Sequence, residues 1–539
     1  MTSQNKKHFY PLFISVGVIV GILLGSFLAN HFSGNRLSII NNSSNKVLDL
    51  FHLVEDQYVD SVEIPELVEK AMPQILKELD PHSTYISASD VEESMQDLKG
   101  SFSGIGVKFT IFKDTICVVK VIKGGPSESA GILAGDRIVA IDGEKYVGDT
   151  ITNQGVMKRL KGPQNSELTL QVKRHGSKEL LSYHVSRGVI PLKTIDAVYM
   201  LTDKIGYIRI KNFGETTYSE FLAALAKLQA EGFANLVLDL RGNPGGYMES
   251  ATQIANDFLP KNSLIVYTKG RKSPRKNYYT DGRGTYQTMP LAVLIDETSA
   301  SASEILAGAI QDNDRGVIIG RRSFGKGLVQ VPIEFSDGSM LRLTIARYYT
   351  PSGRCLQKPY KMGMADYEAD LLNRAEHGEY YSKDSIQFTG SAYKTRLGRK
   401  VYGGGGIVPD YFIPRDTTGI TEYFSTVFLK GLIAQYAYSF VDINRAKLNQ
   451  CATFEDIVKF ISRRNIVEDF VAFAAKNGVR RRNLMIYKSY ALLKYHISLA
   501  IISDVLDDND EIQFMNETDK TVLKAIDVLE QGKAFPTIK

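Results

Sequence analysis

Between about residues 190 and 350, short apolar runs alternate with amphipathic ones. No other feature restricts the fold so firmly, because this rhythm belongs to layered α/β architectures. IGYIRI (205–210) precedes SEFLAALAKLQAEG (219–232), and ANLVLDL (234–240) precedes RGNPGG and then YMESATQIANDFL (247–259). LAVLID (291–296) precedes ETSASAS and EILAGAIQDN (304–313), and RGVIIG (315–320) precedes RRSFGKG. Ser336-Asp337-Gly338 reads as a hairpin turn between VQVPIEF and SMLRLTIARYY. Ligands of α/β proteins sit at the ends of strands. The three glycine- or serine-rich loops that follow the strands are therefore the candidates for chemistry.

The flanking regions differ. Residues 9–30 carry no charge, and about twenty residues at 1.5 Å each span a bilayer core. Lys6 and Lys7 precede the run and place the N-terminus inside. Phe27-Leu28-Ala29 is a poor cleavage site, so the expectation is an uncleaved anchor over 1–34, with a buried core helix as the alternative. Residues 35–98 follow a helical pattern. Residues 99–188 form a strand-rich unit with two helices, turning at Lys113-Asp114 and Asp142-Gly143. The α/β domain is set at 189–415, within which 361–400 are polar and weakly patterned. Residues 416–539 read as helices.

Composition removes several functions. With 65 basic and 60 acidic residues, the net charge of +5 is too balanced for a nucleic-acid-binding surface, and no nucleic-acid partner is expected. The three cysteines are far apart without a CxxC, and the eight histidines form no HExxH, so neither a disulfide framework nor a zinc site is expected.

Each loop has two readings. Asp239 to Gly246 can be a plain strand-to-helix turn, or it can present N–H groups to a developing oxyanion. In TSASASE (298–304), a serine can expose its hydroxyl at a helix start. Ser301-x-x-Glu304 is equally a capping box, and Ser299 or Ser303 can also cap. GRRSFGKG (320–327) is one residue from a phosphate-binding GxxxxGK[ST]. Gly327 replaces the hydroxyl, and an extended run follows where a helix is needed. Taken together, the second and third loops offer another chemistry. A serine needs a base, none of the three loops contains histidine, and a desolvated lysine can serve. Lys326 lies between two glycines. Gln330, four residues on along a strand, faces the same side and can orient it.

These loops, with LDPHSTYIS, FSGIGV, GGPSESAGILAGDRIVAIDG, RYYTPSGR and YGGGGIVPD, resemble the carboxyl-terminal processing (tail-specific) peptidases, a serine-peptidase family. The likeness runs over about 79–410. It implies a Ser-Lys dyad of Ser301 and Lys326 supported by Gln330. It also implies oxyanion N–H groups from Ala302 and Gly245, with Gly246 the alternative to the latter. Residues 99–188 then resemble the family's PDZ domain, whose Gly104-Ile105-Gly106-Val107 loop is expected to capture a C-terminal carboxylate. In the family this domain docks substrate, gates the site, or both.

The resulting expectation is a bacterial endopeptidase anchored in the cytoplasmic membrane. It acts on the extracytoplasmic, periplasmic side on proteins with exposed C-terminal tails, and it needs no cofactor, metal or nucleotide. The helical tail lies outside the shared motifs and is a candidate for homo-oligomer assembly, a regulatory partner or simple packing. The alternative function is a non-catalytic PDZ scaffold that binds peptides.

Overall fold

The computed structural model describes residues 15–24, 46–388 and 390–537. The chain divides into one unit up to Ile75 and a second from Leu76 onward. The first unit contains a helix at 15–24, the helix Lys46–Gln57 and most of Ile64–Lys77. Of the uncharged run, only 15–24 are described, and the rest of the expected anchor lies outside the described residues. No helix among the described residues is long and apolar enough to cross a membrane.

The second unit is built on a six-stranded sheet. Its order is Ile195–Thr202, Ile205–Ile210, Asn235–Asp239, Leu291–Ile295, Val317–Gly320 and Tyr411–Phe412. The first pair is antiparallel and every later pair parallel. The Val, Ile and Leu runs suit a sheet buried on both faces. Alternate side chains reach opposite layers. Leu236, Leu238, Val293 and Ile318 pack against Phe221, Ile254, Phe258 and Leu306 from the helices Thr217–Ala230, Met248–Phe258 and Ala302–Asp312. Tyr207, Val237, Leu294 and Ile319 pack the other way, against Ile512, Val522, Val528 and Leu529.

This second layer comes from the end of the chain, from Asp508–Asn516 and Lys520–Glu530. The expected boundary at 416 is thus not a boundary of the core, because the last helices complete the peptidase-like sheet. The other tail helices, Glu422–Leu429 to Asn483–Val505, form their own cluster around Phe424, Tyr436, Phe470 and Leu493.

A second sheet carries Gln330. Its long strand Met340–Tyr349 pairs with Leu328–Glu334, with Thr84–Ile86 and with Leu264–Lys269. The expected 336–338 hairpin is present, with Gly338 at φ +86°. Within 361–400, where the sequence pattern is weak, the structure contains a helix, Met364–Glu376, and a short hairpin, Ala392–Lys394 with Lys400–Tyr402. The helix buries only Tyr367 and Arg374 fully and leaves the rest half-buried or exposed, so there is little periodicity to read.

The strand-rich unit is a separate antiparallel sheet, entered and left through the paired strands Ser101–Gly104 and Gly188–Pro191. Both expected turns have two consecutive positive φ values, at Lys113-Asp114 and Asp142-Gly143, as tight hairpins require. The outer face of the sheet meets the tail. Phe112 and Tyr438 have ring centroids 5.3 Å apart, Arg137 pairs with Asp442 at 3.1 Å, and Lys108 Nζ donates to Ser503 Oγ at 3.1 Å.

Leu529 is 4% exposed in the layer beneath the sheet. Leu529→Ala is expected to cost about 2–5 kcal/mol of global stability, read from urea unfolding of the whole chain. An unchanged transition would mean that the last helix is an appendage rather than a layer.

Candidate active site

All three candidate loops leave the carboxyl ends of neighbouring parallel strands, so topology alone collects them along one edge. The serines separate at once. Ser299 and Ser303 are fully buried, and their hydroxyls donate to the carbonyls of Leu240 (2.8 Å) and Asn243 (3.0 Å). Ser301 is half-buried and stands at the N-cap of Ala302–Asp312, with φ 55° and ψ −113°. A positive φ is uncommon for a residue with a side chain and marks a strained elbow.

The strain is held by Glu304, whose side chain is wholly buried. Its Oε2 accepts the N–H of Ser301 at 3.0 Å and the N–H of Lys326 at 2.9 Å. Its Oε1 accepts Ser323 Oγ at 2.5 Å and Gly325 N–H at 2.8 Å. Two nitrogens on one oxygen lie within about 6 Å of each other, so the serine and lysine loops are drawn together at the backbone. Tyr348 does the same for the carbonyls: its hydroxyl bonds Ser301 O at 3.2 Å and also Lys326 O. Burial raises the Glu304 carboxyl above its ordinary value, against the lowering effect of the Ser323 hydroxyl and the three N–H groups.

Lys326 Nζ donates to Gln330 Oε1 at 3.2 Å. Gln330 is fixed from the other end, because its Nε2 donates to the carbonyl of His82. A flipped amide would set NH₂ against the ammonium and oxygen against a carbonyl, so both partners select one orientation. Burial lowers the Lys326 pKa, the charge of Arg342 lowers it further, and Glu304 and Asp80 oppose. LDPHSTYIS supplies this support. Asp80 accepts from His82 N–H (2.9 Å), Ser83 N–H (3.0 Å), Ser83 Oγ (2.6 Å) and Thr344 Oγ1 (3.0 Å), which anchors the turn on the long strand. The His82 ring is committed to Tyr367, Nε2 to hydroxyl 2.7 Å, and burial followed by the Lys326 charge pushes its pKa down to about 4. It is therefore neutral at neutral pH. Arg374 holds the lysine loop from behind, donating to the carbonyls of Ser323 (2.9 Å) and Phe324 (3.1 Å).

The expected oxyanion donors lie side by side. Gly245 has φ +102°, and a Cβ there would stand 2.6 Å from Ser301 Cβ and 2.9 Å from the Ala302 nitrogen. Its own N–H donates to Asn243 Oδ1 at 2.8 Å. Ala302 is the first residue of its helix, where an N–H has no carbonyl one turn back to meet. The nearby Gly246 is pressed against the Phe213 carbonyl, 2.0 Å from where a Cβ would be. Leu328–Glu334, a strand, follows the FGKG loop, so a phosphate-binding loop running into a helix is not formed.

In the strand-rich unit, Gly104 ends its strand, Ile105 is 2% exposed and Gly106 has φ +76°. The Ile105 and Gly106 carbonyls accept Ser127 and Ile122 N–H groups, both at 2.9 Å. Val107 opens the strand Val107–Phe112, which is an edge of its sheet.

Glu304, Tyr348 and His82 were not singled out as site residues by the sequence. Glu304 was visible only as a capping residue, and only the LDPHS motif marked the neighbourhood of His82.

An α/β domain with a serine elbow, a half-buried lysine and an inserted PDZ-like unit defines a class, and the comparisons give the family. The model for Peptidase family S41 matches residues 204–365, and that for the PDZ domain matches 103–185. A family of unknown function (DUF8443) matches 423–507. The carboxy-terminal-processing protease of Bartonella bacilliformis is 40% identical over 57% of this chain and 71% of its own. Carboxy-terminal processing protease CtpB of Bacillus subtilis is 34% identical over 59% of this chain and 66% of its own. A probable CtpA-like serine protease of Staphylococcus aureus is 32% identical over 65% and 70%. The chain belongs to the carboxy-terminal processing proteases, serine peptidases of family S41 with a PDZ domain. The scaffold alternative falls with that assignment.

Gly245→Ala must displace Ser301 or the start of its helix. Peptidase activity is expected to drop by about 10²-fold or more in a folded protein, measured by cleavage alongside thermal melting. Activity near wild type in the variant would mean that the two loops are not in register as described.

Proposed function

We propose that Ser301 is the nucleophile, Lys326 the general base and Gln330 the group that orients it. The observation that carries this reading is the half-buried Lys326 amine, its pKa depressed, resting on Gln330 in a loop that shares one carboxylate with Ser301. Neutral Lys326 takes the proton from Ser301 Oγ as it attacks a substrate carbonyl. The oxyanion is received by the Ala302 N–H and by the Gly245 N–H, which Asn243 must release. Lys326 returns its proton to the departing amine, and water hydrolyses the acyl-enzyme.

The substrates are proteins with exposed C-terminal tails. The free edge at Val107–Phe112 supports docking by strand addition, with the carboxylate at 104–107. The uncharged run at 9–30, with Lys6 and Lys7 before it, supports a single anchor in the cytoplasmic membrane and action on its extracytoplasmic face.

The base must be neutral to work, so activity is expected to rise with pH, with its limb below 10.5 because the Lys326 pKa is lowered. Removing a neighbouring cation favours the ammonium, so Arg342→Ala is expected to move that limb to higher pH. Ser301→Ala and Lys326→Ala should each remove at least about 10³-fold of the cleavage rate on a tailed protein. A flat pH profile, or a working Lys326→Ala protein, would overturn the base assignment.

A further inference from the structure

The helix Asn483–Val505 buries Ile486, Ser489, Leu493 and Ile497 against the tail's core. Its opposite side is not simply polar. Leu484 is 69% exposed and Tyr487 79%, and Lys488 and Lys494 are exposed beside them. Positions 484, 487, 488 and 494 share one helical face. The chain enters this helix through Arg480-Arg481-Arg482, all exposed. Arg481 is paired with Glu468 at 2.7 Å. Arg480, Arg482, Lys488 and Lys494 form no ion pair among the described residues.

Large apolar tips set among unpaired cations at a helix start have a definite physical complement. Cations without partners call for an anionic surface, and exposed Leu and Tyr between them call for one with an apolar interior just below. A soluble polyanion would satisfy the charges and leave Leu484 and Tyr487 in water. A second copy of this face would set like charges against each other. We propose that this face, with Arg480 and Arg482, rests on an anionic lipid surface. Leu484 and Tyr487 enter the headgroup region, and the four free cations pair with lipid phosphates. The contact depends neither on the run at 9–30 nor on the catalytic roles proposed above.

The chain has no tryptophan, so Tyr487→Trp places a single reporter at an exposed position. The full-length variant is mixed with phosphatidylcholine vesicles or with vesicles that also contain phosphatidylglycerol. The expected result is a shift of emission to shorter wavelength, with quenching by brominated lipid, only in the anionic vesicles. Salt should weaken both effects. Adding Arg480→Glu, Arg482→Glu and Lys488→Glu should abolish them while the melting temperature and peptidase activity stay unchanged. The indole reports only its own surroundings, so vesicle binding through other parts of the chain does not mimic the signal. Water-like emission in anionic vesicles overturns the proposal. So does an equal shift with phosphatidylcholine alone, with polyglutamate or DNA, or on concentrating the protein without lipid.

Discussion

One buried carboxylate organises the catalytic edge. Glu304 belongs to the helix that starts at Ser301, yet it accepts three of its four hydrogen bonds from the loop that carries Lys326. Without those bonds, three N–H groups would lose their acceptor and the Ser323 hydroxyl, which also accepts the Ile407 N–H, would lose the partner of its proton, at a cost of about 1–3 kcal/mol for each group left unsatisfied. That cost, together with the Tyr348 hydroxyl on the two carbonyls, opposes relaxation of the Ser301 elbow. The positive φ at Ser301 and the close approach of Gly245 both follow from this convergence.

The same edge is tied to distant parts of the chain. Arg241, between the strand Asn235–Asp239 and the PGG turn, binds Asp239 and also Asp519 of the tail, at 2.6 and 2.7 Å. Asn509 and Asn516 reach the outer strand at Val198 N–H and the Tyr199 hydroxyl. The tail is thus continuous with the α/β core on one side and touches the PDZ sheet on the other. The Phe112–Tyr438 and Arg137–Asp442 contacts join the PDZ sheet to the tail helix Leu432–Leu448.

Much of this was legible in the sequence for a physical reason. Parallel buried strands write themselves as unbroken Val, Ile and Leu runs, and their loops must be glycine- or serine-rich where backbones approach closely. The three candidate loops could therefore be found at strand ends, whereas their common edge follows from the strand order. The contact of Lys326 with Gln330 matches the expectation from strand periodicity, but Lys326 lies in the loop before the strand Leu328–Glu334 and the register shifts between Val329 and Gln330, so regular alternation does not make it. Contacts across long separations were not readable. Nothing local signals that His82 supports Gln330 from 248 residues away, or that Tyr348 bridges two loops. Glu304 looked like a capping residue and is one in part. Its other partners appear only when the loop at 323–326 folds over it. The helix Met364–Glu376 is hard to read because only Tyr367 and the charged Arg374 are fully buried, which leaves no clear apolar stripe, and nothing in the tail helices signals which surface they cover.

The most direct test of this organisation is the rate at which Ser301 reacts with a fluorophosphonate in Glu304→Gln, with folding checked by thermal melting. If Glu304 acted only through its charge, its removal would favour neutral Lys326 and leave the serine at least as reactive. A carboxylate that holds two loops in register predicts a fall of about 10²-fold or more, because the amide offers one acceptor oxygen where two are used. A folded variant that reacts at the wild-type rate would contradict the account.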